Sequence, residues 1–176
     1  MDWLQVGGVT INIGAFSART LGFNGTINGQ SVQTYILTNL VAALNSLFQS
    51  ASAGGAGFDV HFSTNPADFE FQPHSTVFLT SSSDPVNPLF DPFSGFNQDI
   101  LARQFFNTQP YGVSQHSDPL NTDLEDEAAV FVPSFALLGL TPGQVDVDSF
   151  IQSLTAAVGR RAGELMGLRV TDAYLF

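Results

Sequence analysis

The sequence predicts an α/β (α+β) domain in which two long helices cover one face of a mixed, mostly parallel, twisted sheet of about five strands. Two segments carry apolar residues at helical spacing, and short segments rich in β-branched and aromatic residues lie before and between them. The chain has 176 residues, 44% of them hydrophobic, so it can bury one sizeable core but is too short for two. We therefore expect a single domain, residues 1–176.

The first half of the chain is predicted to contain a strand and a long helix. Apolar residues alternate in residues 9–13 (VTINI), and a glycine-rich turn with one or two short strands follows. Ser31 is a favoured N-cap residue, and after it apolar residues fall at helical spacing for about twenty residues. The small residues of SASAGGAG should end this helix near residue 52.

The second half is predicted to contain three strands and a second helix. Residues 58–64 (FDVHFST), residues 75–80 (STVFLT) and the segment from Ala128 (AAVFVPSF) have strand composition, and His61 is expected in the core or on a sheet face. Residues 81–112 form a long connection, with a short helix near residues 99–106. The second helix spans residues 147–167, with Asp146 or Asp148 as its cap and Gly167 as its left-handed stop.

Charge and composition exclude several classes of partner. The net charge is −11, from sixteen acidic residues against five arginines and no lysine, which argues against nucleic acid. The absence of cysteine excludes disulfides and thiolate metal sites. No run of about 18 apolar residues and no basic segment before an apolar one is found, so no membrane partner is expected. The compartment stays open, and is extracellular if the chain is a domain of a longer secreted protein.

The segment VGRRAGELMGLRV, residues 158–170, has the spacing of the zinc-protease motif HExxHxxGxxH. In that motif two imidazoles four residues apart bind one metal ion, the intervening Glu polarises the bound water, and the glycine turns the chain toward a third His. The corresponding positions in this chain are Arg160, Arg161, Glu164, Gly167 and Val170.

The surrounding sequence LTAAVGRRAGELMGLRVT resembles the active-site helix of the metzincin zinc proteases of secreted bacterial type. The helix near residues 31–52 and the segments FDVHFSTNP, STVFLTSS and YGVSQHSDPLNTDLEDEAAVFVPSF extend the resemblance. It implies a zincin-like N-terminal subdomain with four roughly parallel strands, one antiparallel edge strand and the last helix along the sheet face. It also implies that the chain lacks the C-terminal subdomain, which forms the floor of the cleft in the family.

The residues at the ligand positions depart from the family. A guanidinium is permanently protonated and has no lone pair to donate, so Arg160 cannot bind zinc. We therefore expect no zinc and carry over no catalytic residue. Arg160 and Glu164 lie four residues apart and are expected to form an ion pair, and the alternative is two solvated charges.

The acidic loop HSDPLNTDLEDEA, residues 116–128, is a candidate calcium site. Its hard oxygen ligands suit calcium, although the spacing is not that of an EF-hand. The alternatives are a solvated acidic loop, and a zinc site that begins at His116. The calcium candidates are Asp118, Asn121, Asp123 and Asp126.

A phenylalanine-rich segment, residues 89–106, is a candidate contact surface for a second copy of the chain or for another protein. The alternative is a small satellite core beneath a long connection. No Ser-His-Asp order, nucleophile elbow or phosphate-binding loop is present, so other hydrolase and nucleotide classes are not favoured.

The function expected from these features is that of a catalytically inactive metzincin-like domain, acting as a structural or binding module in a secreted multidomain protein or a self-assembly. One alternative is a metallopeptidase with a non-standard metal site built from Glu164 and loop carboxylates. The other is an assembly protein unrelated to proteases, whose last helix matches by chance. Metal content separates the first two, and sheet topology bears on the third.

Overall fold

The protein is described here by a computed structural model, which covers residues 9–12, 16–51, 60–70, 73–80, 112–114, 126–132, 135, 140, 142 and 145–167. Within these residues, seven strands and two long helices follow one another. They are β1 (Val9–Asn12), β2 (Thr26–Ile27), β3 (Gln30–Ser31), α1 (Val32–Ala51), β4 (Phe62–Ser63), β5 (Ser75–Thr80), β6 (Gly112–Ser114), β7 (Glu127–Phe131) and α2 (Val147–Leu165). The predicted mixture of helices with a mostly parallel sheet is confirmed.

Five strands form the main sheet in the order β4-β1-β5-β7-β6. The pairs β4 with β1, β1 with β5 and β5 with β7 are parallel. Strand β6 pairs antiparallel with β7, with Gly112 opposite Val130. The sheet therefore has four parallel strands and one antiparallel strand at its edge. Strands β2 and β3 form a separate hairpin, whose turn residues Asn28 and Gly29 both have positive φ.

Helix α1 begins directly after the predicted cap residue Ser31, and its Asn45 side chain hydrogen-bonds to the edge strand β4. The Ser31 hydroxyl accepts a hydrogen bond from the Thr34 N–H at 3.1 Å, as an N-cap side chain should. Further along, the Asn45 side chain donates to the Phe62 carbonyl at 3.1 Å and accepts from the Phe62 N–H at 2.8 Å. This amide gives the two-residue strand β4 partners on the side away from β1.

Helix α2 is capped by Asp146, one of the two predicted candidates. Its carboxylate accepts from the Ser149 N–H at 2.7 Å, which holds the pKa of Asp146 below its usual value. At the other end Gly167 has φ 70° and donates its N–H to the Glu164 carbonyl, so it is the left-handed stop that was predicted. The two long helices are also tied together near their first turns, since the Tyr35 hydroxyl donates to Asp148 at 3.0 Å.

One hydrophobic core joins the two helices to a single face of the sheet. Alternate residues of the strands enter it, as the two-residue period of a strand requires. The helices approach closely at Gly159, where an added Cβ would lie 3.4 Å from a methyl carbon of Leu47. Fully buried members of this core include Val9, Ile11, Val77, Leu79, Val130, Ile36, Leu40, Leu44, Phe150, Leu154, Val158 and Leu165.

The structure differs from the sequence expectations in four places. Within the described part of predicted strand 58–64, only Phe62–Ser63 is a strand, and the His61 side chain is exposed rather than in the core. The strand predicted from Ala128 begins one residue earlier, at Glu127. Strand β6 was not predicted, because Gly112 was assigned to the long connection.

The phenylalanine-rich segment 89–106 and the short helix predicted near residues 99–106 lie outside the described residues. No helix in the described ranges combines the length and apolarity that crossing a membrane requires.

Candidate functional site

Arg160, Arg161 and Glu164, three of the five motif positions, lie on the last two turns of α2, beside the edge strand β6. Helical geometry brings side chains three and four residues apart onto one face, so Arg160, Arg161 and Glu164 converge. Strand β6 adds Ser114 to this group, fifty residues earlier in the sequence. These four residues are called the Glu164 cluster below.

The Glu164 carboxylate accepts three side-chain hydrogen bonds. Oε1 accepts from Nε of Arg160 at 3.3 Å, which is the predicted pair between residues four apart. Oε2 accepts from Nη1 of Arg161 at 2.5 Å and from the Ser114 hydroxyl at 2.7 Å. Both oxygens are engaged, so the carboxylate is held between the helix and the edge strand.

The cluster is partly shielded from solvent. The side chains of Arg161 and Glu164 are 18% and 19% exposed, and that of Arg160 is 33% exposed. Burial lowers the pKa of Arg161, the carboxylate of Glu164 opposes that lowering, and the positive charge of Arg160 adds to it. Arg160 and Glu164 are therefore paired and partly shielded, not two solvated charges.

Gly112 of β6 lies directly beneath Arg161. A Cβ placed on Gly112 would lie 2.4 Å from the Ala129 carbonyl oxygen and 3.0 Å from Nε of Arg161. The contact with the backbone oxygen is too short for any Cβ, and the contact with the guanidinium would require Arg161 to shift, so glycine is the residue that allows β6 to pair with β7 in this arrangement.

The sequence located this site but not all of its members. The ion pair of Arg160 with Glu164 was expected, whereas the contributions of Arg161 and Ser114 to the same carboxylate were not. The bond from Arg161 follows the three-residue helical spacing and could have been inferred from it. Nothing in the helix sequence points to Ser114. Val170, the fifth motif position, lies outside the described residues.

The predicted calcium ligands are only partly covered. Asp118, Asn121 and Asp123 lie outside the described residues, and Asp126 is buried just before β7, where its carbonyl accepts from the Thr76 N–H. Among the described residues no group of three or more His, Asp or Glu side chains is placed to hold a metal ion. The calcium site remains a prediction.

Comparisons with known proteins give no match, neither of the sequence to a family model or a curated protein nor of the structure to a solved structure.

Proposed function

We propose that this chain is a catalytically inactive metzincin-like domain that serves as a structural or binding module. The observation that carries the proposal is the state of Glu164, which stands at the position of the second metal ligand. Its carboxylate is engaged by Arg160, Arg161 and Ser114, and the two arginines stand at the positions of the first ligand and the general base.

The charges of the cluster oppose a zinc site. A zinc ligand must offer a lone pair, which a guanidinium lacks, and two fixed positive charges close together repel a dication. A single carboxylate remains as a donor, and both of its oxygens already accept hydrogen bonds. Binding zinc would require breaking those bonds and would leave two half-buried guanidiniums without their carboxylate.

The topology of the sheet supports the metzincin-like part of the proposal. The resemblance implies four parallel strands, an antiparallel edge strand and a long helix along the sheet face. The described sheet has the order β4-β1-β5-β7-β6 with β6 antiparallel, and α2 packs on the face below β5, β6 and β7. If the chain were an unrelated assembly protein whose last helix matches by chance, we would have no reason to expect this strand order and helix position.

The test is the metal content and peptidase activity of the purified chain. We expect neither bound zinc after exposure to excess zinc and desalting, nor cleavage of a casein or mixed-peptide substrate that a chelator abolishes. Stoichiometric zinc together with chelator-sensitive cleavage would overturn the proposal and favour the alternative metallopeptidase.

A restored variant serves as the matched positive control. It carries Arg160→His, Arg161→Glu, Glu164→His and Val170→His, which returns the three imidazoles and the carboxylate to the motif positions. We expect this variant to take up about one zinc ion per chain, as a site of three histidines can. Absence of zinc uptake by a folded variant would count against a preserved metzincin scaffold.

A further inference from the structure

We propose that Arg161, lying across Gly112 of the edge strand, is the anchor of a binding site for a carboxylate group of a partner molecule. This inference rests on the proposed function, because it names the ligand chemistry of the same site in a binding module.

Arg161 has more hydrogen-bond donors than its protein partners use. A guanidinium carries five N–H groups, and a hydrogen bond from Nη1 to Glu164 is the one that Arg161 makes within the described part of the chain. Gly112 supports one side of the guanidinium and has no side chain that could compete for its N–H groups. Within the described residues, the other four N–H groups of Arg161 are therefore left for a further acceptor such as a ligand oxygen.

The charges that act on Arg161 favour an anion. Glu164 attracts the guanidinium, while Arg160 repels it, and both arginines share the same carboxylate. A half-buried cation in this setting gains more from a second anionic partner than an exposed one would, because water screens it less. The chain as a whole has a net charge of −11, whereas the Glu164 cluster contains two arginines and one carboxylate.

A carboxylate fits the remaining donors better than other anions of similar size. Its two oxygens match two parallel N–H groups of the planar guanidinium, which gives both strength and orientation. The carboxylate can come from the C-terminus of a peptide or from an acidic side chain. The chemistry of recognition is the same for both sources.

The test is a titration of the protein with three short peptides, observed through the NMR signals of the arginine Nε–H groups. One peptide has a free C-terminal carboxylate and no acidic side chain, the second is amidated and carries one Asp, and the third is amidated and neutral. The Arg161 signal is assigned from its loss in Arg161→Lys. We expect a saturable shift of this signal with one or both acidic peptides and none with the neutral peptide, and the acidic peptide that binds identifies the source.

Variants separate the site from general charge effects. Arg161→Gln should weaken binding of the acidic peptide about tenfold or more, the loss expected for a charge-assisted hydrogen bond. Arg19→Gln removes the same charge from an exposed position on the short helix Ala18–Leu21 and should leave the affinity unchanged. The titration of the unsubstituted protein decides the question even where a variant folds poorly.

Three results would overturn the inference: no shift with either acidic peptide, an equal shift with the neutral peptide, or undiminished binding by a folded Arg161→Gln protein. These outcomes are distinct from failure of the proposed function, which is read from zinc content and chelator-sensitive cleavage. If the protein has neither zinc nor activity and also fails to bind both acidic peptides, only the carboxylate-site inference is overturned and the proposed function stands.

Discussion

Replacing Glu164 by Gln tests whether the Glu164 cluster stabilises the fold or is surface decoration. The substitution keeps the size of the side chain, but it removes the negative charge that three donors share. The Arg160 side chain is 33% exposed, so its hydrogen bond to Glu164 contributes about 0.3–0.5 kcal/mol to stability. Those from Arg161 and Ser114 are better shielded, and hydrogen bonds to a charged group contribute about 1.5–3 kcal/mol each when buried.

We expect Glu164→Gln to lower the free energy of unfolding by about 2 kcal/mol, since partial exposure reduces these values and the three bonds are not additive. For a domain of this size 1 kcal/mol corresponds to about 2–4 °C in Tm. The assay is urea unfolding followed by circular dichroism, with Glu70→Gln as the matched control. Glu70 is exposed and has no hydrogen-bond or ion-pair partner among the described residues, so its change should stay within about 0.5 kcal/mol.

A double-mutant cycle locates the effect. Ser114→Ala alone should cost about 1 kcal/mol, and combined with Glu164→Gln it should cost less than the sum of the two single changes. If Glu164→Gln unfolds at the same urea concentration as the Glu70→Gln control, the cluster does not connect helix and edge strand energetically, and the reasoning is refuted.

Three further substitutions probe other contacts. Asn45→Ala removes both hydrogen bonds to the Phe62 backbone and should lower the free energy of unfolding by about 2–3 kcal/mol. Asn45→Asp keeps the acceptor but places a carboxylate oxygen against the Phe62 carbonyl, so it should also destabilise the protein at neutral pH. Gly112→Ala introduces the short contacts described above and should destabilise by about 1–3 kcal/mol, while Gly159→Ala meets ordinary van der Waals distances and should stabilise α2 by about 0.5–1 kcal/mol. Urea midpoints that move in the same direction for both glycines would contradict this. Burial raises the pKa of Glu127, so the carboxyl group binds a proton more tightly in the folded protein than in the unfolded chain. As pH rises through the raised pKa, Glu127 becomes charged in the folded protein and lowers the free energy of unfolding. Glu127→Gln should therefore raise Tm at neutral pH and have no effect at pH values below the carboxyl range.

Periodic patterns predicted the helices closely. Helix α1 begins one residue after the expected cap at Ser31, and Gly167 follows α2 in the left-handed conformation that was expected. These features depend on interactions within a few residues, namely the apolar stripe, the cap and the stop, so the local sequence contains the information.

Short strands were predicted less well, because their partners define them. Residues 112–114 have no alternation and include a glycine, and they become a strand through pairing with β7. The same non-local pairing brings Ser114 to Glu164. The helix sequence could predict the Arg160 pair and, by the same spacing, the Arg161 pair, but it could not supply a donor from another part of the chain.

The position of β1 affects how the chain acquires its structure during synthesis. Strand β1 starts at residue 9, yet both of its neighbours in the sheet come later in the sequence, β4 from residue 62 and β5 from residue 75. During synthesis, β1 therefore leaves the ribosome with unpaired backbone groups and stays unpaired until β4 and β5 have also emerged. Strand pairings this distant in sequence form slowly. Until then, binding by a chaperone or the early folding of α1 would protect the segment from aggregation.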